Sequence, residues 1–135
     1  MRKFLMTAVL SAGGIAGTGL AADSPDAIVR KPLLTAQIGG KSVERVEVKE
    51  IEFSPAQKTG IHLHPCPVVG YIVSGSVAFQ VEGQPEQTLH AGDAFYEPAN
   101  TRILRFDAVE RQTRFIASYL LGKDDHELIR HLDQP

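Results

Sequence analysis

The stretch that decides the fold runs from Gly60 to Val73 and reads GIHLHPCPVVGYIV. Alternate side chains of an extended strand share one face, so His62 and His64 are expected to point the same way, about 7 Å apart at the backbone. Two imidazoles directed into one space are a natural start for a divalent metal site, which needs a further ligand from elsewhere in the chain. Whether the sequence supplies that ligand is the main question about function.

Short strands and turns continue on the C-terminal side of this stretch. The turn Ser74-Gly75 leads to an alternating strand over residues 77–81, which ends at another turn signal. A second segment, residues 91–98, reads AGDAFYEP. Short strands at regular spacing, separated by glycine and proline turns, predict an all-β sandwich or barrel. The last strands are predicted over residues 103–106 and 114–121.

The order of these features resembles the two motifs of the cupin superfamily. The first motif places a glycine before a His-x-His pair and another glycine after a strand, and here it is carried by Gly60, His62, His64 and Gly75. The second motif begins with Gly-Asp and reaches a proline after four further residues, which is matched by Gly92, Asp93 and Pro98. The resemblance covers roughly residues 43–121. It implies an all-β, cupin-type double-stranded β-helix, which is a jelly-roll barrel.

The sequence departs from the resemblance at two positions where such proteins usually hold a metal. Counting back from Gly75, the acidic ligand of the first motif falls on Val68. Counting on from Pro98, the metal-binding histidine of the second motif falls on Ile103. Two of the four ligands that the resemblance implies are therefore apolar in this chain.

One carboxylate appears in compensation. Glu97 stands immediately before Pro98, in a Phe-x-Glu-Pro sequence that resembles many small cupins lacking the first-motif acid. Phe95 and Glu97 share a strand face, so that Glu97 lies inside if Phe95 does. A buried carboxylate needs a partner or a metal ion to offset its desolvation.

His62, His64 and Glu97 would then form a set of two histidines and one carboxylate, the ligand type of open-sided non-haem iron sites. Glu97 is also the candidate catalytic residue, and the candidate divalent metals are Fe, Mn, Ni and Zn. Alternatives remain open. If the missing histidine has removed the metal, Glu97 instead pairs with an arginine of a nearby strand: Arg102, Arg105 or Arg114. Cys66 is a possible soft ligand, although a thiol between two prolines is more typical of a loop.

These residues predict two classes of function. The first is a small exported enzyme, oxygenase-like or isomerase-like, whose metal leaves coordination positions open for a substrate oxygen and for water or dioxygen. The resemblance does not choose among activities, because the fold hosts many. The second is a non-catalytic module that binds a small acid or phenolic ligand in the barrel, with or without metal. Its polar lining is expected from Tyr71, Gln80 and Arg105.

The N-terminus has the features of an exported protein. Arg2 and Lys3 precede an uncharged apolar stretch over residues 4–20, and small residues follow at Ala21 and Ala22. This pattern predicts a signal peptide over residues 1–21, cleaved after Ala21 or Ala22. A membrane anchor is the competing interpretation, but the stretch has only about 17 residues, many of them small. The mature protein is therefore expected to be periplasmic or secreted.

Composition limits the partners. The chain of 135 residues has a formal charge of −2, and loss of Arg2 and Lys3 would make it −4. A mildly acidic chain without a basic stripe argues against nucleic acid as a partner. Its one cysteine, Cys66, cannot form an internal disulfide, so stability must come from burial and from a predicted homodimer. A small molecule is the expected ligand, and no membrane contact is expected after processing.

The remaining segments complete the predicted domain plan. Residues 22–42 form an arm with a first strand over residues 33–38. Residues 43–121 form the barrel, with a bulge or a change of sheet near residues 49–50, where the apolar phase changes. Residues 122–135 form a C-terminal tail with a short helix, since Asp124 and Glu127 have the spacing of a capping box. Three further histidines are expected to be solvated: His90, His126 and His131.

Overall fold

The structure is a computed structural model that describes residues 27–109 and 111–132. Within this part of the chain there are nine β-strands and no α-helix: β1 (Arg45–Phe53), β2 (His62–Leu63), β3 (Val68–Ser74), β4 (Ser76–Val81), β5 (Gln87–His90), β6 (Ala94–Glu97), β7 (Ile103–Ala108), β8 (Thr113–Leu121) and β9 (Arg130–His131). Accordingly, the described residues contain no helix of the length and apolarity needed to cross a membrane. The predicted signal peptide and its cleavage site lie outside the described residues.

Backbone contacts divide the chain into two units, Met1–Arg30 and Lys31–Pro135. Of the first unit the structure describes only residues 27–30, which are exposed and form no strand. All the strands described above belong to the second unit. The fold and the candidate site are therefore properties of the second unit alone.

The strands form two antiparallel sheets, with the order β1-β8-β3-β6 in one and β5-β4-β7-β2-β9 in the other. Strand residues alternate between the two faces of a sheet, so every second residue of β8 is buried. Aromatic rings join the two sheets. The ring centroid of Phe106 in β7 lies 4.9 Å from that of Phe115 in β8 and 5.0 Å from that of Phe95 in β6. The predicted all-β jelly roll is confirmed.

Two glycines allow close approach of backbone near the core. Gly70 lies on the inner face of β3, where an added Cβ would collide with the ring of Phe95 and lie 2.6 Å from the carbonyl oxygen of Ile116. Gly75 joins β3 to β4 with a φ of 78°, and a Cβ there would lie 2.5 Å from Oγ1 of Thr113. Since side chains are disfavoured at positive φ, both backbone conformation and space account for glycine at position 75.

The structure corrects the bulge expected in β1. The register of β1 with β8 is continuous over its whole length, so neither a bulge nor a change of sheet occurs near residues 49–50. The two apolar phases belong instead to the two faces of one regular strand. Val46 and Val48 are exposed on the outer face, whereas Phe53 is buried in the core and Ile51 packs against it. Because β1 carries apolar residues on both of its faces, its sequence pattern looks like a change of phase.

The first predicted strand is also absent. Residues 33–38 form no strand, although the turn at Gly39 and Gly40 occurs, with a φ of 69° at both residues. Leu33 and Leu34 line a groove with residues on the outer face of the first sheet: Val69, Tyr71 and Ile116. The segment therefore lies over a sheet face and adds no strand to an edge, so it lacks the backbone ladder that defines a strand.

The prediction of a C-terminal helix is wrong as far as the structure describes the tail. Residues 122–132 form turns and end in β9, which pairs with β2. The carbonyl oxygen of Leu128 accepts a hydrogen bond from Nδ1 of His64 at 2.6 Å. The carboxylate of Asp125 lies 2.6 Å from Nζ of Lys41 and does not cap a helix. Tertiary contacts therefore organise the tail, and Glu127, one of the two residues of the expected capping box, pairs with Arg130 instead.

Candidate metal centre

Three buried polar side chains meet at the inner surface of the barrel. His62 begins β2, His64 follows just after its end, and Glu97 ends β6. Each is only 3–4% exposed. Glu97 shares the inner face with Phe95, as the alternation of β6 predicts. The ligand atoms of the three residues all lie within 4.8 Å of one another, so the structure brings together the residues that the sequence selected.

Hydrogen bonds orient both imidazoles toward Glu97. Oε2 of Glu97 lies 3.0 Å from Nε2 of His64, and Oε1 lies 4.0 Å from Nε2 of His62. Nδ1 of His62 lies 3.0 Å from the carbonyl oxygen of Gly60, and Nδ1 of His64 lies 2.6 Å from that of Leu128. Because a carbonyl oxygen can only accept, each Nδ1 carries the hydrogen. Nε2 of each neutral ring therefore presents a lone pair toward the carboxylate.

The chemistry of these three groups favours a cation. Two lone pairs and a carboxylate are all acceptors, and buried acceptors that face each other need a proton or a metal ion between them. An ion bound about 2.1 Å from each ligand atom holds neighbouring ligand atoms about 3.0–3.4 Å apart. The separations of 3.0 and 4.0 Å bracket this range. Backbone carbonyls that fix the other ring nitrogen are usual partners of metal-ligating histidines, so the three residues fit a divalent ion.

The two histidines titrate in opposite directions. Burial lowers the pKa of His62, and the hydrogen bond to Gly60 and the charge of Glu97 do not compensate. Burial also lowers the pKa of His64, but the hydrogen bond to Glu97 and the charge of that carboxylate raise it by more, so that the pKa lies above its ordinary value. Burial therefore favours the neutral, metal-binding form of His62, whereas Glu97 favours the protonated form of His64, in which a metal ion would have to replace the proton.

Val68 and Ile103, the apolar residues at two positions where cupins usually have metal ligands, lie beside these side chains. Val68 is directly opposite Glu97 in the pair of β3 and β6, and Ile103 is directly opposite His62 in the pair of β2 and β7. Residues directly opposite in an antiparallel pair have Cβ atoms about 4.5–5.5 Å apart and share a face. Glu97 is therefore one strand away from the position of the usual acid, and its carboxylate reaches the same space.

The arginines proposed as alternative partners of Glu97 have other partners. Arg102 pairs with Glu82, Arg105 with Glu86, and Arg114 with Glu50. Among the ion pairs of the described residues, Glu97 takes part only in those with His62 and His64. Cys66 lies outside the group of ligand atoms. It is fully buried in the core, and burial raises the pKa of its thiol.

A cavity of about 290 Å³ opens beside the three polar side chains. Its wall is mostly apolar and includes Ile51, Phe53, Phe95, Phe106, Phe115 and Ile129. Three further polar residues line it: Thr59, Tyr119 and His131. Among the described residues of the wall there is no lysine or arginine. The cavity can therefore hold a small, largely apolar molecule with its polar end against the two histidines and the glutamate.

The polar lining predicted from the sequence is wrong. Tyr71 lies on the outer face of β3 and is 39% exposed. The amide of Gln80 donates a hydrogen bond to the carbonyl oxygen of Gln84 in the adjacent turn. Arg105 pairs with Glu86 at the surface, 2.8 Å between Nη1 and Oε1. None of the three lines the cavity. Which way these three side chains point depends on which face of the assembled sheet covers the cavity. The pattern of a single strand does not contain this information.

Tyr119 and His131 are lining residues that sequence reasoning missed. Tyr119 belongs to the buried phase of β8, which the alternation of that strand indicates. Its ring centroid lies 5.7 Å from that of His64. Burial, with a smaller effect of the charge of Glu97, raises the pKa of Tyr119 to about 12, so its phenol is neutral at ordinary pH. His131 is exposed, as expected, but it also lines the cavity. No local pattern indicates this, because β9 reaches the site through a long-range pairing.

Comparison with known proteins identifies the domain. Residues 49–103 match the family model described as Cupin domain. The chain carries a cupin domain. Among solved structures, it is similar to DMSP lyase DddQ from Ruegeria pomeroyi (17% identity, TM-score 0.57), oxalate decarboxylase from Bacillus subtilis (17%, 0.59) and a cupin-like protein from Thermotoga maritima (20%, 0.54). A comparison with curated proteins finds no match.

The likeness to these structures concerns the cupin fold alone. It extends over 64% of this chain and 42% of the lyase, 67% and 24% for the decarboxylase, and 64% and 64% for the Thermotoga protein. This chain therefore spans less than half of the length of the two enzymes. Their activities belong to longer proteins with low sequence identity to this one, and the function of this cupin domain has to be argued from its own site.

Proposed function

We propose that this protein is a divalent-metal-dependent enzyme, oxygenase-like or isomerase-like, that acts on a small molecule in the barrel cavity. One observation carries the proposal. His62, His64 and Glu97 converge with three acceptor groups and no donor, at the polar end of an otherwise apolar cavity. Such a buried arrangement is unfavourable until a cation is present. The lyase and decarboxylase with a similar fold are named for reactions of small molecules, which agrees with this class.

The ligand set leaves room for a substrate. Two histidines and one carboxylate are typical of non-haem iron sites with open coordination positions, and Mn, Ni and Zn also accept such ligands. A bound divalent ion would supply Lewis-acid polarisation of a substrate oxygen, or a site for dioxygen. Glu97 is the proposed catalytic residue as well as a ligand, because a carboxylate that binds through one oxygen keeps the other free to accept a proton.

The wall of the cavity favours a particular kind of substrate. Phe53, Phe106 and Phe115 exclude water and offer aromatic faces to an apolar body. Tyr119 is a neutral phenol, since burial raises its pKa to about 12, further above neutral pH, and it can donate a hydrogen bond to a substrate oxygen. Without lysine or arginine in the described wall, only the metal would balance the charge of an acid. A phenol, or a similarly uncharged molecule with an oxygen atom that can bind the metal, therefore fits better than a dicarboxylate.

A second candidate is a non-catalytic cupin that binds a small ligand without metal. The observation that favours it is the distance of 3.0 Å between Nε2 of His64 and Oε2 of Glu97, which suits a protonated imidazole paired with a carboxylate. The raised pKa of His64 agrees with such a pair. In this case a proton takes the place of the metal ion, and the cavity serves for binding alone.

Metal analysis of protein purified without chelators separates the two functions. The first predicts stoichiometric Fe, Mn, Ni or Zn, lost in the double variant His62→Ala/His64→Ala. The matched control is His90→Ala/His126→Ala, which removes two exposed histidines away from the cavity. The control should keep the metal. A folded wild-type protein that neither contains metal nor takes it up on addition would contradict the first function and support the second.

We further propose that the protein acts outside the cytoplasm. The support is the charged start at Arg2 and Lys3, the apolar stretch that follows, and the small residues Ala21 and Ala22. Intact-mass measurement of the protein from its native host tests this proposal. A mass lacking residues 1–21 or 1–22 is expected, and a mature protein that begins at Met1 would contradict it.

A further inference from the structure

His131 reaches the cavity from the C-terminal strand. β9 pairs with β2 on the side opposite to β7, so that His62 has two cross-strand neighbours: Ile103 on β7 and His131 on β9. Residues directly opposite in antiparallel strands share a face. The side chains of Ile103 and His131 therefore flank His62 on the same inner face, one on each side. Ile103 stands at the position where the cupin pattern has its last histidine. His131, on the other side of His62, is a histidine.

We propose that His131 is a further metal ligand, supplied by β9 in place of the histidine that is missing at position 103. This inference rests on the proposed metal site at His62, His64 and Glu97. It gives the site three imidazoles and one carboxylate. It also explains why a histidine in the tail, without any local motif, lines the same cavity as the other three residues.

The ring positions allow shared coordination. An imidazole bound through Nε2 has its centroid about 3.2 Å from the ion, so two imidazoles on one ion have centroids roughly 4.5–6.4 Å apart. The centroids of His62 and His64 are 5.1 Å apart, and those of His62 and His131 are 6.0 Å apart. Both separations lie within the range, and the second lies near its upper end.

Only the side chain of His131 has to move. Its nitrogens are outside the group of ligand atoms that lie within 4.8 Å of one another, so the ring must turn inward when the metal binds. The backbone on either side is already fixed, since the carbonyl oxygen of Leu128 holds His64 at 2.6 Å and the amide of Leu132 donates to the carbonyl oxygen of Ile61 at 2.9 Å. The exposed imidazole has the freedom that such a rotation needs.

The test compares His131→Ala with the wild-type protein, using Zn²⁺ for affinity and Cu²⁺ for ligand counting. We expect the Zn²⁺ affinity in a calorimetric titration to fall ten-fold or more. Nitrogen hyperfine structure in the electron paramagnetic resonance spectrum of the Cu²⁺ form should show one imidazole fewer than in the wild type. Two controls in the same tail should change neither result: His126→Ala, an exposed histidine, and Arg130→Ala, the neighbouring residue of β9. Circular dichroism of the metal-free variants checks the fold.

The outcomes distinguish this inference from the function on which it rests. Wild-type protein that binds no metal overturns both. Wild-type protein that binds metal, with affinity or imidazole count unchanged in His131→Ala, overturns the role of His131 and leaves the three-residue site. An equal loss of affinity in Arg130→Ala also overturns it, because β9 would then act only by closing the barrel.

Discussion

At Glu97 a buried carboxylate faces the Nε2 atoms of His62 and His64 at 4.0 and 3.0 Å. Both imidazoles have already used Nδ1 for backbone carbonyl oxygens, so their remaining nitrogens offer lone pairs to whatever lies between them. A proton and a metal ion compete for this space. The raised pKa of His64 favours the proton, and the convergence of three ligand atoms within 4.8 Å favours the metal ion.

Replacement of Glu97 by glutamine tests the carboxylate as a ligand. Glutamine keeps the volume but replaces a charged oxygen ligand by a neutral amide, so the affinity for Zn²⁺ should fall by at least about ten-fold. Calorimetric titration measures the change. Glu82→Gln is the control, since Glu82 is an exposed carboxylate paired with Arg102. Unchanged Zn²⁺ affinity in Glu97→Gln, with the fold intact, would mean that the carboxylate is structural.

Metal binding should depend on pH through His64. The pKa of His64 lies above 6.5 in the metal-free protein because Glu97 stabilises the imidazolium. Metal must displace this proton, so the apparent affinity for Zn²⁺ should rise with pH through the raised pKa and level off above it. His62, with a lowered pKa, adds no further proton release near neutral pH. Titrations in buffers of different ionisation enthalpy count the protons released, and no release just above pH 6.5 would contradict the assignment.

The sequence alone predicts the direction of a side chain where that direction follows from the alternation of a single strand. His62 and His64 share a face by alternation, and Glu97 follows Phe95 inward for the same reason. Tyr71 and Arg105 could not be placed in this way, because facing at these positions depends on which sheet face closes over the cavity. His131 depends on a pairing between residues 69 positions apart, His62 with His131, which no local pattern contains.

At the scale of elements, the strands that carry motifs were predictable and the flanking segments were not. Residues 33–38 have an apolar pattern but no strand edge to pair with, so they lie over the outer face of the sheet. The tail has capping residues at Asp124 and Glu127, yet backbone groups of Leu128 and Leu132 form hydrogen bonds with the residues on either side of β2. In both segments, tertiary contacts outweighed local preference.

Gly70 in β3 provides a test of how the strands are packed. An added methyl group would meet the ring of Phe95 and the carbonyl oxygen of Ile116. Backbone cannot give way as a flexible side chain can, so Gly70→Ala should lower the free energy of unfolding by about 1–3 kcal/mol. Chemical denaturation measures it, with Ser118→Ala on the outer face of β8 as a control that should cost less. A Gly70→Ala protein as stable as the wild type would contradict this packing.

At the scale of the whole molecule, the outer face of the first sheet is unusually apolar. Val46 is 52% exposed, Val48 is 63% exposed and Tyr71 is 39% exposed. Leu33 and Leu34, from the arm, add to the same surface. Exposed apolar patches of this kind are typical of protein interfaces. The homodimer predicted from the sequence therefore has a face available for it.

The homodimer prediction concerns this outer face. Light scattering at high micromolar concentration should give twice the mass of one chain, because association removes Val46, Val48 and Tyr71 from water. Val48→Asp should shift the protein toward the monomer. Lys58→Asp, in the exposed loop before β2, is the control and should leave the mass unchanged. A wild-type monomer at this concentration would contradict the prediction.

The central claim is that one divalent ion binds among His62, His64 and Glu97. A crystal structure of the protein with Mn²⁺ or Zn²⁺, with anomalous difference maps at the metal edge, tests it most directly. We predict a single anomalous peak inside the barrel, about 2.0–2.2 Å from Nε2 of both histidines and from a carboxylate oxygen of Glu97. A well-ordered site without an anomalous peak, with His64 hydrogen-bonded to Glu97, would contradict the claim.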